Sequence, residues 1–175
     1  MKKIRRLPPP DCLNNEIKKS KTKKIDFYEN LRDANGKIQP RWNTTCKEGG
    51  KISKIRLRLL EMSENVCVYC GVKIDNVDMD VDHFLPSSKF PYLAYCWDNL
   101  LATCKRCNQN IKSGFFPDSL KSKKIIEDIL LSDFEHDLIY DKANILNNIA
   151  KNDRLIEPSF DNPEEHLAFN PEFYN

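Results

Sequence analysis

With 175 residues, 40% of them hydrophobic and 31% charged, the chain has material for one small core and for extensions around it. Five glycines and ten prolines exclude a low-complexity or collagen-like polymer, and no apolar run approaches the ~20 residues that cross a bilayer. The formal net charge of +2 conceals a division: residues 1–126 hold 25 Lys/Arg against 14 Asp/Glu, whereas residues 127–175 hold 3 against 12, so the front suits a phosphate-backbone ligand.

The chain starts M-K-K-I-R-R-L-P-P-P, basic like a secretory leader but without the apolar stretch that makes one. Together with seven cysteines this points to a reducing, cytoplasmic setting in which thiols serve metal. Residues 1–24 contain little to bury, and Pro8, Pro9 and Pro10 stiffen them, so they read as an extended basic arm. Residues 25–31 offer a short helix through Phe27, Tyr28 and Leu31, and Asn35-Gly36 signals a turn. Residues 37–49 are irregular and carry Arg41-Trp42. Cys12 and Cys46 have no partner at metal spacing and read as plain thiols. From 51 to 64, Ile52, Ile55, Leu59 and Met62 recur at three- and four-residue steps, the stripe of a helix that buries one side. Lys51, Lys54 and Arg58 lie off the stripe.

Residues 66–74 read as a metal knuckle, with Gly71 turning the chain after Cys70. A strand is expected over 79–85, with Val81 inward and Asp80 and Asp82 sharing the other face. Strict alternation sends His83 away from Asp82, so a common site needs the strand to end or kink near Pro86. Residues 87–97 are too apolar to stand free in water and should pack as a lid or short helix, with Lys89 near the histidine as a phosphate contact and Cys96 in the core. A second strand is expected over 100–103, and a helix from 104 to 112 whose first-turn amides favour an anion. After Pro117, amphipathic helices are expected around 120–130 and 144–150. Asp133, Glu135, His136 and Asp137 between them lack ligand spacing and read as a solvated acidic face. Near the end, Asp161 or Asn162 should cap a helix opening with Pro163, and His166 reads as structural or exposed. The chain thus divides into a basic arm (1–49), a core (50–116) and an acidic helical extension (117–175).

Two Cys-x-x-Cys pairs, Cys67/Cys70 and Cys104/Cys107, carry the clearest chemical signal. Two intervening residues let the backbone turn so that both sulfurs converge on one ion. Four thiolates suit a tetrahedral, structural Zn²⁺ with no open position. The ion would close a loop of 33 residues that contains Asp82, His83 and Asn99. His83 is an imidazole beside a carboxylate, Asp82. Asn99 can tie backbone groups across the loop with both ends of its amide. Asn108 follows the last cysteine, and Asp80 is placed to orient a ligand or a water.

The set C-x-x-C, D-H-x-x-P, D-N-L and C-x-x-C-N resembles the HNH endonucleases, and the likeness covers roughly the middle third of the chain. It implies an α+β fold, a ββα-metal core stapled by the four-cysteine zinc site. It also implies that His83 is the general base, that Asp82 and Asn108 hold a catalytic Mg²⁺ or Mn²⁺, and that Asn99 braces the loop carrying the histidine. The implied reaction is metal-dependent hydrolysis of DNA leaving a 5′-phosphate. The family often has a lysine three residues after the final asparagine; here Ile111 stands there and Lys112 one later. The opening I-R-R-L-P-P-P and the ending R-L-I-E-P-S-F-D-N-P-E-E-H-L are similar to HNH subunits of bacterial anti-phage systems, as in Septu and certain retrons. Those work beside an ABC-type ATPase, which the acidic rear would dock. The alternative is a zinc-stapled nucleic-acid-binding or adaptor module without catalysis, in which Asp82, His83 and Asn108 would have no task.

Overall fold

The computed structural model describes residues 1, 3–13, 33–35, 39, 46–48, 52–88, 90, 93–115 and 155–167. The helices expected around 120–130 and 144–150, the segment 133–137, the 25–31 helix, Trp42 and Lys89 lie outside the described residues.

A two-residue ladder opens the core: β1 (Lys47–Glu48) pairs antiparallel with β2 (Ile52–Ser53). This pairing takes the residues just before the expected helix, so helix α1 begins later than its periodicity suggests, at Lys54–Met62. Its stripe is buried as spacing dictates, through Ile55, Leu59, Leu60 and Met62. Ser63 closes it by donating its backbone N–H to Leu59 O, and Glu64 and Asn65 then take positive φ angles that turn the chain away. Arg56 reaches from α1 to the backbone oxygens of Asn76 and Met79, pinning the helix to the start of the next strand.

The central sheet has two antiparallel strands, β3 (Met79–His83) and β4 (Leu100–Cys104), in register Met79↔Cys104 through His83↔Leu100. β4 is buried on both faces: Leu100, Leu101, Ala102 and Thr103 are all buried. It can be so because α1 packs against it and a helical segment, Arg106–Lys112, follows directly and also contacts it. Among the described residues of the 87–97 stretch, Phe90, Leu93 and Tyr95 are buried, and a short 3-10 turn, Trp97–Asn99, follows. Burial pushes the Cys96 thiol in this loop up to about 11, in keeping with a packing role.

Two expectations are corrected at the ends of the chain. Residues 3–13 do bury apolar groups: Ile4 and Leu13 join the core, Ile4 N–H donates to Pro158 O at 2.9 Å, and Trp97 Nε1 donates to Leu7 O at 2.7 Å. Arg6 anchors this strap by donating to the backbone oxygens of Trp97, Asp98 and Leu100 and by pairing with the fully buried Glu157 at 3.4 Å. A basic residue is therefore spent on packing, because five donors on a rigid fork can satisfy several carbonyls at once. Second, Cys12 and Cys46 are not plain thiols but form a disulfide, with Cα atoms 5.5 Å apart. They meet because Leu13 draws residues 11–13 into the core beside the turn at Cys46, a contact between positions 34 apart. Near the other end, Asn162 stands at the N-cap and Pro163 opens the element as expected, but that element is a single 3-10 turn, Pro163–Glu165, and Asn162 caps it through its backbone oxygen, which accepts from Glu165 N–H at 3.1 Å, rather than through its side chain. The Asp161 carboxylate accepts from Glu157 N–H instead, and the Asn162 amide donates to Glu165. His166 is exposed. Among the described residues no helix is long and apolar enough to cross a membrane.

Candidate functional site

The four hook cysteines converge. One ligand sulfur from each of Cys67, Cys70, Cys104 and Cys107 lies within 4.8 Å of the others, a cluster that can hold a metal ion. Sulfurs at ~2.3 Å from a tetrahedral zinc sit ~3.8 Å apart, and Cys70 Sγ and Cys104 Sγ are 3.8 Å apart. The first hook closes through Gly71 N–H to Cys67 O at 2.8 Å and Cys67 N–H to Val72 O at 2.8 Å. Gly71 sits at φ +76, where a side chain would be strained, so the glycine is required by the turn. Cys107 N–H points at Cys104 Sγ, 3.4 Å away. Burial raises the Cys67 and Cys107 thiols. Burial opposes ionisation at Cys70 too, but hydrogen bonds from Val72 N–H and the other three cysteines outweigh it and lower this thiol. Four sulfurs gathered this closely make a site that a thiophilic divalent ion would complete.

The second cluster begins twelve residues after the first hook. Asp82 and His83 end β3, Asn108 and Lys112 come from the segment after β4, and all four line one cavity of about 270 Å³ together with Ser87 and Ser88. The bend after His83 that brings imidazole and carboxylate to one cavity is held by Asn99. Its Oδ1 accepts from Leu85 N–H at 2.8 Å, and its Nδ2 donates to Leu85 O at 3.0 Å and Leu93 O at 3.3 Å. Asn99 is fully buried, so these bonds are undiluted by solvent.

His83 Nε2 lies 2.9 Å from Ala94 O. A carbonyl can only accept, so Nε2 carries the proton and the imidazole lone pair resides on Nδ1. Burial lowers the His83 pKa below 6.5 and the Lys112 charge works in the same direction, against the Ala94 carbonyl and the Asp82 charge, which raise it. The neutral ring is thus favoured.

Asp82 is 3% exposed, and each of its oxygens has a donor. Lys112 Nζ donates to Oδ1 at 2.9 Å and also to His83 O at 2.7 Å, while Tyr69 OH donates to Oδ2 at 2.7 Å. Burial and the Asp82 charge hold the Tyr69 phenol well above its usual range, so it stays a donor. A carboxylate oxygen has two lone pairs, and one hydrogen bond leaves each Asp82 oxygen able to bind a cation. Asp80, on the same strand face, accepts from Asn108 Nδ2 at 3.2 Å and Gln109 Nε2 at 2.7 Å. With its nitrogen so engaged, the amide oxygen is the atom of Asn108 that could serve a hard cation.

Lys112 reaches this cavity because Arg106–Lys112 is a π-helix. The bond from Ser113 N–H to Asn108 O at 2.8 Å spans five residues rather than four. The wider turn absorbs one extra residue, so Ile111 faces out at 67% exposure and Lys112 turns in at 6%. Lys112, one residue later than the lysine of the family pattern, thus reaches the cavity. The legible signal was the one-residue displacement itself. Tyr69 gave no signal beyond its position inside the first hook.

Residues 67–114 match the family model described as HNH endonuclease, so the stretch that holds both hooks and the cavity is an HNH domain. Two curated relatives share more than this. The Septu protein PtuB of Bacillus thuringiensis is 54% identical over 56 residues, 31% of this chain and 22% of that protein. The Septu protein PtuB of Bacillus mycoides (strain KBAB4) is 26% identical over 139 residues, 70% of this chain and 40% of that protein. The chain thus spans less than half the length of either relative. No solved structure matches it.

Proposed function

We propose that this chain is a metal-dependent DNA endonuclease, the cutting subunit of a bacterial anti-phage system that acts with an ABC-type ATPase. The observation that supports it most is the convergence of Asp82, His83 and Asn108, from two strand-linked elements, on one cavity. A phosphodiester resists attack because its oxygens repel nucleophiles, so an enzyme needs a base and a charge sink. His83, neutral and with its lone pair on Nδ1, takes a proton from the attacking water. Ala94 O fixes the tautomer and the ring plane. Asp82 and Asn108 supply two hard oxygen donors, which fit a Mg²⁺ or Mn²⁺ that keeps most of its waters. That ion, when bound, neutralises charge on the phosphate and the leaving oxygen. Asn99 keeps the bend that sets the histidine, and Asp80 orients the Asn108 amide. Zn²⁺ takes the four sulfurs, so the two metals sort by ligand softness.

The defence role draws support from the similarity to the two Septu proteins. Plasmid nicking in Mg²⁺ or Mn²⁺, with and without copurifying proteins, tests the activity. Wild type should cut and His83→Ala should not; equal cutting by both removes the base assignment.

A further inference from the structure

We propose that Tyr69 is a positioning residue for Asp82, and that through its hydroxyl the four-cysteine knuckle sets how firmly the cleft holds a divalent cation. This rests on the reading of Asp82 as a cation ligand.

Tyr69 lies between Cys67 and Cys70, the two sulfurs of the first hook. Its backbone cannot shift alone. Cys67 N–H is bound to Val72 O, Gly71 N–H to Cys67 O, and Val68 N–H to Ala102 O of β4 at 3.1 Å. From this turn the phenol crosses to β3 and donates to Asp82 Oδ2, while Lys112 donates to Oδ1 from the π-helix. Two donors on two elements, one per oxygen, define the plane of the carboxylate. With the hydroxyl gone, one ammonium can draw both oxygens to itself. A carboxylate collapsed onto an ammonium is a poorer ligand for a second cation. Tyr69→Phe removes a single oxygen and keeps the ring that fills the space.

The test uses the full chain with its thiolate site loaded and measures Mn²⁺ binding without DNA, by paramagnetic resonance of the free ion, beside the Mg²⁺ dependence of plasmid nicking. Tyr69→Phe should bind Mn²⁺ roughly tenfold more weakly, as expected for a lost hydrogen bond to a charged group. It should need correspondingly more Mg²⁺ for half-maximal nicking, reach a rate within a few-fold of wild type at saturation, and retain its zinc. Unchanged or tighter Mn²⁺ binding overturns the proposal. Asp82→Asn separates the layers. If it binds Mn²⁺ like wild type, Asp82 is not a ligand and the functional reading itself fails. If it loses Mn²⁺ while Tyr69→Phe does not, only the positioning role fails. Should Tyr69→Phe not fold, wild-type protein labelled with ¹³Cζ-tyrosine at position 69 carries the test: its resonance should move on Mg²⁺ addition, and a resonance that stays fixed overturns the coupling.

Discussion

Lys112→Met isolates the buried ion pair of the cavity. The ammonium and the Asp82 carboxylate are 2.9 Å apart with side chains 4% and 3% exposed, and the ammonium also serves His83 O. Methionine keeps most of the aliphatic stem and removes the charge. Asp82 is then a buried carboxylate with the Tyr69 hydroxyl as its remaining donor among the described residues, and His83 O loses a partner. Breaking a buried pair by removing one member costs ~3–5 kcal/mol, far above the 0–1 kcal/mol of an exposed pair. For a chain of this size a kcal/mol moves the melting point by ~2–4 °C, so a drop of about 6–20 °C is expected. The double variant Asp82→Asn/Lys112→Met should be more stable than Lys112→Met alone, since no naked charge remains. The cycle should therefore show a coupling of about 2 kcal/mol or more. Urea unfolding followed by circular dichroism, with the thiolate site loaded in every variant, measures all four corners. A single-variant cost below about 1 kcal/mol, or additive costs, would mean that water or a rearranged partner already shields Asp82, and the reasoning fails.

Two further outcomes are expected. The His83 pKa is lowered, chiefly by burial, so the neutral base persists below pH 6.5. Nicking rates should therefore be flat through neutral pH and fall only on the acid side of 6.5; a rate that keeps climbing from pH 7 to 9 contradicts His83 as the base. Cys104→Ser replaces a soft ligand with a poor one in a site whose zinc, if structural, contributes ~10–16 kcal/mol of apparent binding. That matches or exceeds the ~5–15 kcal/mol by which domains are usually stable, so the variant should lose metal and fold together, and a folded, metal-free protein on mass spectrometry and circular dichroism refutes the structural role.

The parts of the site that could be read in advance are those encoded by short spacing. Two residues between cysteines force a turn, a proline ends a strand, and a three- and four-residue stripe makes a helix. Accordingly the cysteine cluster and α1 lie within a few residues of where periodicity put them, and the strands expected over 79–85 and 100–103 run Met79–His83 and Leu100–Cys104. What escaped is what depends on partners far away in sequence. Arg6 looked like one charge of a phosphate-seeking arm, yet its partners lie between Trp97 and Leu100 and near residue 157. Cys12 and Cys46 carry no spacing motif, because a disulfide needs only that two backbones meet. Tyr69 is one atom away from being an ordinary core ring, and nothing local says that its hydroxyl meets a carboxylate thirteen positions on.

The π-helix shows why a pattern can be broken without the site being lost. An α-helical segment with one extra residue between Asn108 and its lysine would rotate the ammonium off the cavity by about 100°, the turn per residue that 3.6 residues per turn implies. Widening the helix instead keeps Asn108 on Asp80 and Lys112 on Asp82, and expels the surplus as Ile111. Such a turn has poorer hydrogen bonding than an α-helix and persists only where its surroundings favour it. Here the surroundings are a buried ion pair at one end and the thiol cluster at the other, where Cys107 is buried beside Cys104. The same seven residues are therefore fastened by sulfur chemistry at their start and by charge at their end, with Asn108 held between. Restoring an α-helical turn by deleting Ile111 would leave both fasteners in place and change only the winding, so it asks whether the cleft needs the π geometry or merely tolerates it.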